Sequence, residues 1–129
     1  MGHPVVHFEI IGTDPAKLRG YYGDLFGWEF AMGDASTEAV SEPGNYGFVD
    51  GSTHGEGGIN GGVAGGKGFE ARVLFYVGVP DVEAALRKAE SLGGTRAMGP
   101  EPAQARAGDL VVGHFTDPAG NVIGVAALS

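Results

Sequence analysis

Residues 4–30 read PVVHFEIIGTDPAKLRGYYGDLFGWEF, and residues 72–94 read RVLFYVGVPDVEAALRKAESLGG. Under a displacement of 67 positions, Val6 falls on Val73, Asp14 on Asp81, Leu25 on Leu92 and Gly27 on Gly94. The same shift carries Phe48 onto Phe115 and Asp50 onto Asp117. Six identities under one constant shift mark a duplication, and self-similarity of this kind dictates architecture. Pro4–Ile11, rich in β-branched and aromatic residues, predicts a strand. Asp14-Pro15 predicts a helix start, with a capping carboxylate and proline in the first turn. Leu18, Tyr21, Tyr22 and Leu25 then fall on one helical face, Gly27 stops the helix, and Trp28-Glu29-Phe30 opens a second strand. In the second half Arg72–Val79 is the strand, and Asp81 caps a helix with Val82, Ala85, Leu86 and Ala89 inward, ended by Gly93-Gly94.

Further short strands are expected around Thr37–Val40, Tyr46–Val49 and Gly58–Val63, then Thr95–Ala97, Leu110–Thr116 and Val122–Ala127. Each half is a βαβββ unit too small to close a core alone, so two units pair their sheets, within the chain or across a dimer. The expected fold is α+β: one domain over residues 1–129, with repeat one about 4–63, a linker about 64–69 and repeat two about 70–129. Its paired, curved mixed sheets are expected to form a concave cleft.

Composition narrows the function classes. The 129 residues suit one domain. Sixteen acidic against eight basic side chains give a net charge of −8, which disfavours nucleic acid and anionic membranes as partners. With no cysteine there is no disulfide, thiolate–zinc site or thiol nucleophile, in keeping with a reducing, cytoplasmic setting. No apolar run approaches the roughly 20 residues of a membrane span. The N-terminus lacks the order of a signal peptide, and Val6 stands where myristoylation requires Ser or Thr. Glycine, at 25 residues, crowds the segment between Gly44 and Gly68 and marks loops there.

Three strings resemble the vicinal-oxygen-chelate (glyoxalase/bleomycin-resistance/dioxygenase) superfamily: YYGDLFGWEF at Tyr21–Phe30, VGVPDVEAALRKAESLGG at Val77–Gly94, and FTDPAGNVIGV at Phe115–Val125. The resemblance spans the chain. In its own right Asp117–Asn121 is a hairpin turn, with proline fixing φ and glycine and asparagine tolerating positive φ. The resemblance implies a divalent metal held by four positions, two per repeat, as His, Glu or Gln. Carried onto this chain, these are His7, Leu74, Gly124 and, in the last strand of repeat one, a stretch whose one polar side chain is Asn60. Most of the ligand set is therefore missing. No cofactor is expected; a divalent metal remains an alternative, with His7, His54, Glu56 and His114 as the candidate ligands.

His7 reads as ligand, pocket hydrogen-bonder or structural histidine, and Glu9, two residues on, shares its strand face. His54 and Glu56 lie in the glycine-rich loop, His3 is terminal, and the face of His114 is open. Gly61-x₄-Gly66-Lys67 mimics a phosphate loop, but Gly68 replaces its Ser/Thr and a strand follows in place of a helix. Gly55-x-Gly57-x-x-Asn60 fails as a dinucleotide fingerprint on the same ground.

The leading expectation is a small-molecule-binding protein with an apolar cleft. Its ligand contacts are His7, Glu9, Trp28, Tyr46, Phe48 and Phe75. The alternatives are a metal-dependent lyase or dioxygenase using His7 with non-standard ligands, and a non-catalytic structural module. A homodimer is expected in each case, to cover apolar sheet surface.

Overall fold

The computed structural model describes residues 2–33, 37–51, 58–105 and 108–128. Two βαβββ repeats follow one another. The first is β1 (Val5–Gly12), α1 (Pro15–Phe26), β2 (Ala31–Gly33), β3 (Tyr46–Val49) and β4 (Asn60–Gly65). The second is β5 (Arg72–Gly78), α2 (Val82–Ser91), β6 (Thr95–Ala105), β7 (Gly108–Thr116) and β8 (Val122–Leu128). The strands of repeat one run in the order β2-β3-β4-β1, and those of repeat two in the order β6-β7-β8-β5. In both, the first and last strands are parallel, β1 with β4 and β5 with β8, and the other pairs are antiparallel. The chain is α+β, and identical strand order in the two halves is what a duplication produces.

The chain divides into two compact units, His7–Val73 and a second made of Met1–Val6 with Leu74–Ser129. In the first unit the Asp14 carboxylate accepts from Lys17 N (3.2 Å) and Pro15 opens α1. Gly27 ends the helix in the left-handed region at φ 73°, where a side chain is disfavoured. Leu18 packs on Gly12, and Arg19 lies over Gly47 and donates to Asn45 O (3.0 Å). These contacts turn Tyr21 and Leu25 outward, at 60% and 56% exposure, so the apolar face expected of α1 is only partly inward.

Thr37–Val40 is a turn, not the expected strand: Val40 N donates to Thr37 O at 2.9 Å. Ser41, buried behind it, bridges Gly65 N and O (3.0 and 3.1 Å) and ties the loop to the end of β4. The second strand starts at Ala31, after the Trp28–Phe30 string.

In the second unit Asp81 caps α2 through Ala84 N (3.1 Å), and Val82 and Leu86 bury fully against Val125. Arg96 on β6 grips the outside of α2, with Nη1 to Glu83 Oε1 at 2.8 Å and Nη2 to Glu83 Oε2 at 2.7 Å. These bonds, with Arg87, hold the Glu83 carboxyl down at about 2. At the β7–β8 turn Asp117 accepts from Ala119 N, Asn121 N and Asn121 Nδ2, each at 2.9 Å, and these bonds lower its pKa. Pro100 and Pro102 and two register shifts blunt the β6 edge, which in an open sheet invites foreign strands. No helix among the described residues is long and apolar enough to cross a membrane.

Candidate functional site

Strand alternation sets the first cluster. His7 and Glu9 project from one face of β1, while Phe8 between them projects toward α1, covers Gly61 and packs against Trp28 at a centroid distance of 5.2 Å, the rings tilted by 41°. On β3, Gly47 faces Arg19 of α1, so Tyr46 and Phe48 face the other way, on the side of His7 and Glu9; their rings lie 4.6 Å apart. Strand β4 runs between β1 and β3, and at the crossing point it carries Gly62, paired with both Glu9 and Phe48. A Cβ at Gly62 would overlap the Tyr46 ring. Because the position is bare, Tyr46 reaches across β4 to β1. Its hydroxyl donates to Glu9 Oε2 at 2.7 Å and stands 2.8 Å from His7 Nε2.

Since the tyrosine's single proton goes to Glu9, the network assigns His7 as the Nε2–H tautomer, donating to Tyr46 Oη. Burial lowers the His7 imidazole from 6.5 to about 4, so the ring is uncharged at neutral pH. Glu9 and Tyr46 are 3% and 4% exposed, whereas His7 is half-buried and forms the accessible end of the chain of bonds.

The second unit holds a related pair. Tyr76 on β5 lies across Gly124 of β8, where a Cβ would overlap its ring, and its hydroxyl stands 2.7 Å from His114 Nε2 on β7. Both residues are buried beside Leu74, Val112 and Ala126. The face of His114, open in the sequence, is therefore the one turned away from α2.

Of the six ligand contacts expected from the sequence, His7, Glu9, Tyr46 and Phe48 share one face of one sheet. Trp28 lies on the α1 side instead, packed with Phe8, Tyr22, Phe26 and Phe30 at centroid distances of 5.1–6.5 Å. Phe75, 41% exposed, belongs to the second unit and alternates with the buried Leu74 and Tyr76, so it faces the opposite side of β5. His54 and Glu56 lie outside the described residues. Tyr76 escaped the sequence reading, although its place 67 residues beyond Glu9 is a signal that was there to use.

The residues at the four positions where the resemblance implies metal ligands do not make up a ligand set. His7 Nε2 is bonded to Tyr46, and Asn60, paired with His7, accepts from Gly51 N through Oδ1 at 2.9 Å. Leu74 has no donor atom, and the Tyr76 ring fills the space that a side chain at Gly124 would need. Among the described residues no three His, Asp or Glu side chains converge as metal ligands. No chemical step is therefore assigned to a metal.

No curated protein matches the chain. Among solved structures, methylmalonyl-CoA epimerase from Mycobacterium tuberculosis aligns with TM-score 0.66 and 12% identity, over 97% of this chain and 87% of that one. The Streptomyces coelicolor methylmalonyl-CoA epimerase in complex with 2-nitronate-propionyl-CoA aligns at 0.65 and 14%, over 98% and 95%. A glyoxalase/bleomycin resistance protein/dioxygenase superfamily member from Vibrio splendidus 12B01 aligns at 0.57 and 15%, over 98% and 99%. At such identities the likeness is one of fold. The family model, in contrast, matches residues 5–125 directly, and on that match the chain belongs to the Glyoxalase/Bleomycin resistance protein/Dioxygenase superfamily.

Proposed function

We propose that the chain binds a small organic molecule on the His7 face of the first-repeat sheet, through an uncharged hydrogen-bond donor such as an enol or alcohol hydroxyl or an amide N–H. The carrying observation is the chain His7–Tyr46–Glu9, a polar row beside the ring of Phe48. An imidazole with its pKa near 4 offers a ligand hydrogen bonding without net charge, which favours neutral groups over carboxylates and phosphates. The buried Tyr46 and Glu9 fix its tautomer and orientation, so little ordering is left for the binding step. The reading needs no metal ion. The likeness to epimerases solved with CoA esters supports a fold that accommodates small molecules, and nothing finer.

The test is a set of ¹H–¹⁵N correlation spectra recorded with a panel of uncharged aromatic alcohols and lactams, with benzoate as the charged control. Shifts with the alcohols and lactams, centred on His7, Tyr46 and Phe48, are expected, absent in His7→Ala and weakened in Tyr46→Phe. Shifts that survive both substitutions, or none from any member of the panel, contradict the reading.

A further inference from the structure

On the His7 face of the first-repeat sheet, β4 presents Asn60 directly beside His7, because the two are cross-strand partners and their side chains leave the sheet on one side. Asn60 is exposed, and its Oδ1 accepts from Gly51 N at 2.9 Å. A backbone N–H can only donate, so the atom facing it is the carboxamide oxygen, and the two hydrogens of Nδ2 lie on the other branch. Gly51 follows β3 on one side of β4, whereas His7 stands on β1 on the other. Two residues on, Gly62 is bare and covered by the Tyr46 ring, which leaves Asn60 as the polar β4 side chain next to His7.

A carboxamide carries two donors as well as its acceptor oxygen, and here the oxygen is spent on the scaffold. Among the described residues Asn60 Nδ2 donates to no acceptor, in contrast to Asn121, whose Nδ2 is held by Asp117 at 2.9 Å. The Gly51 bond fixes the carboxamide before any ligand arrives, so its donors are preset. Adjacent strands lie about 4.8 Å apart, so a donor and an acceptor close together on one molecule can reach His7 and Asn60 at once.

We propose that Asn60 is the second polar contact of this site, its Nδ2–H donating to a ligand oxygen while His7 takes the adjoining N–H or O–H. The ligand class is therefore one that sets an uncharged donor beside a carbonyl. A lactam, with N–H and C=O held on one edge, fits it best. This inference rests on the His7 reading above and adds to it: His7 requires a donor, and Asn60 requires an acceptor next to that donor.

The test compares three uncharged probes of similar size by titration followed in ¹H–¹⁵N correlation spectra. Indole only donates, oxindole adds a carbonyl beside its N–H, and N-methyloxindole only accepts. Oxindole is expected to bind about fivefold more tightly than indole, the worth of one further hydrogen bond, with shifts on the Asn60 side-chain amide and Gly51. N-methyloxindole should bind more weakly than oxindole. Asn60→Asp, which still accepts from Gly51 N but has no N–H to give, should abolish the preference for oxindole over indole, and Asn60→Ala should do the same. A preference that survives both substitutions, or equal affinity for indole and oxindole in the unsubstituted chain, overturns the inference. The His7 reading then still stands if His7→Ala removes indole binding. N-methyloxindole binding as tightly as oxindole, or no His7-dependent binding of either N–H probe, overturns both.

Discussion

The two repeats solve one packing problem with the same parts exchanged. In the first, histidine stands on the opening strand (His7, β1) and tyrosine on the third (Tyr46, β3). In the second, tyrosine stands on the opening strand (Tyr76, β5) and histidine on the third (His114, β7). Each tyrosine crosses the last strand of its repeat at a bare position, Gly62 or Gly124, and ends against the histidine at 2.8 or 2.7 Å. The difference lies in what surrounds the pair. Tyr76 and His114 are buried among Leu74, Val112 and Ala126, so their bond reads as a satisfied core polar contact. Tyr46 continues to a carboxylate and leaves its histidine half-buried, so the first repeat turns the same geometry outward. Duplicated scaffolds can thus divide their labour: here one copy of the motif is closed into the core, and the other is the one proposed to meet a ligand.

The largest expected effect comes from filling the glycines. Gly124→Ala should cost about 2–3 kcal/mol in urea unfolding, because the added methyl enters the Tyr76 ring's space in a closed core. Gly62→Ala should cost a similar amount and also displace Tyr46 from His7 and Glu9. A loss below roughly 0.5 kcal/mol at either site, the range of ordinary surface changes, would break the parallel. The hydroxyl deletions are gentler. Tyr76→Phe should cost about 1–2 kcal/mol of stability, since His114 loses its bond in a buried setting. Tyr46→Phe should cost a comparable amount and, unlike its counterpart, alter the protonation of His7. If both deletions leave the His7 titration untouched, the two repeats are not functionally distinct.

Much of this was legible in the sequence because it rests on local chemistry. Asp14-Pro15 and Asp81 each cap a helix, Gly27 takes positive φ, and Asp117–Asn121 closes a hairpin, as their side chains dictate. The shared face of His7 and Glu9 followed from alternation alone. Long-range register did not follow. The 67-residue shift sets Phe48 on Phe115, yet Phe48 pairs with Gly62 as His114 pairs with Gly124, so the third strands are offset by one residue. Phe115 in consequence packs toward α2, while Phe48 lies beside Tyr46. A one-residue slip inverts every side chain of a strand, and nothing local to Phe48 or Phe115 announces it. Trp28 was drawn to its α1-side cluster by Phe8, Tyr22 and Phe26, contacts that only the folded chain defines.

The central claim is that His7 is held uncharged in a prebuilt network, and its own titration tests this most directly. Long-range ¹H–¹⁵N correlations of the histidine rings, followed from pH 8 to pH 3.5, should show His7 as the neutral Nε2–H tautomer until the pH approaches about 4. A folded-state value below the unfolded 6.5 means that the unfolded chain takes up the proton first. Stability should therefore be unaffected by His7 above pH 6.5, fall as the pH drops toward 4, and level off below it. A His7 ring that titrates near 6.5, or that carries its proton on Nδ1, would contradict the account.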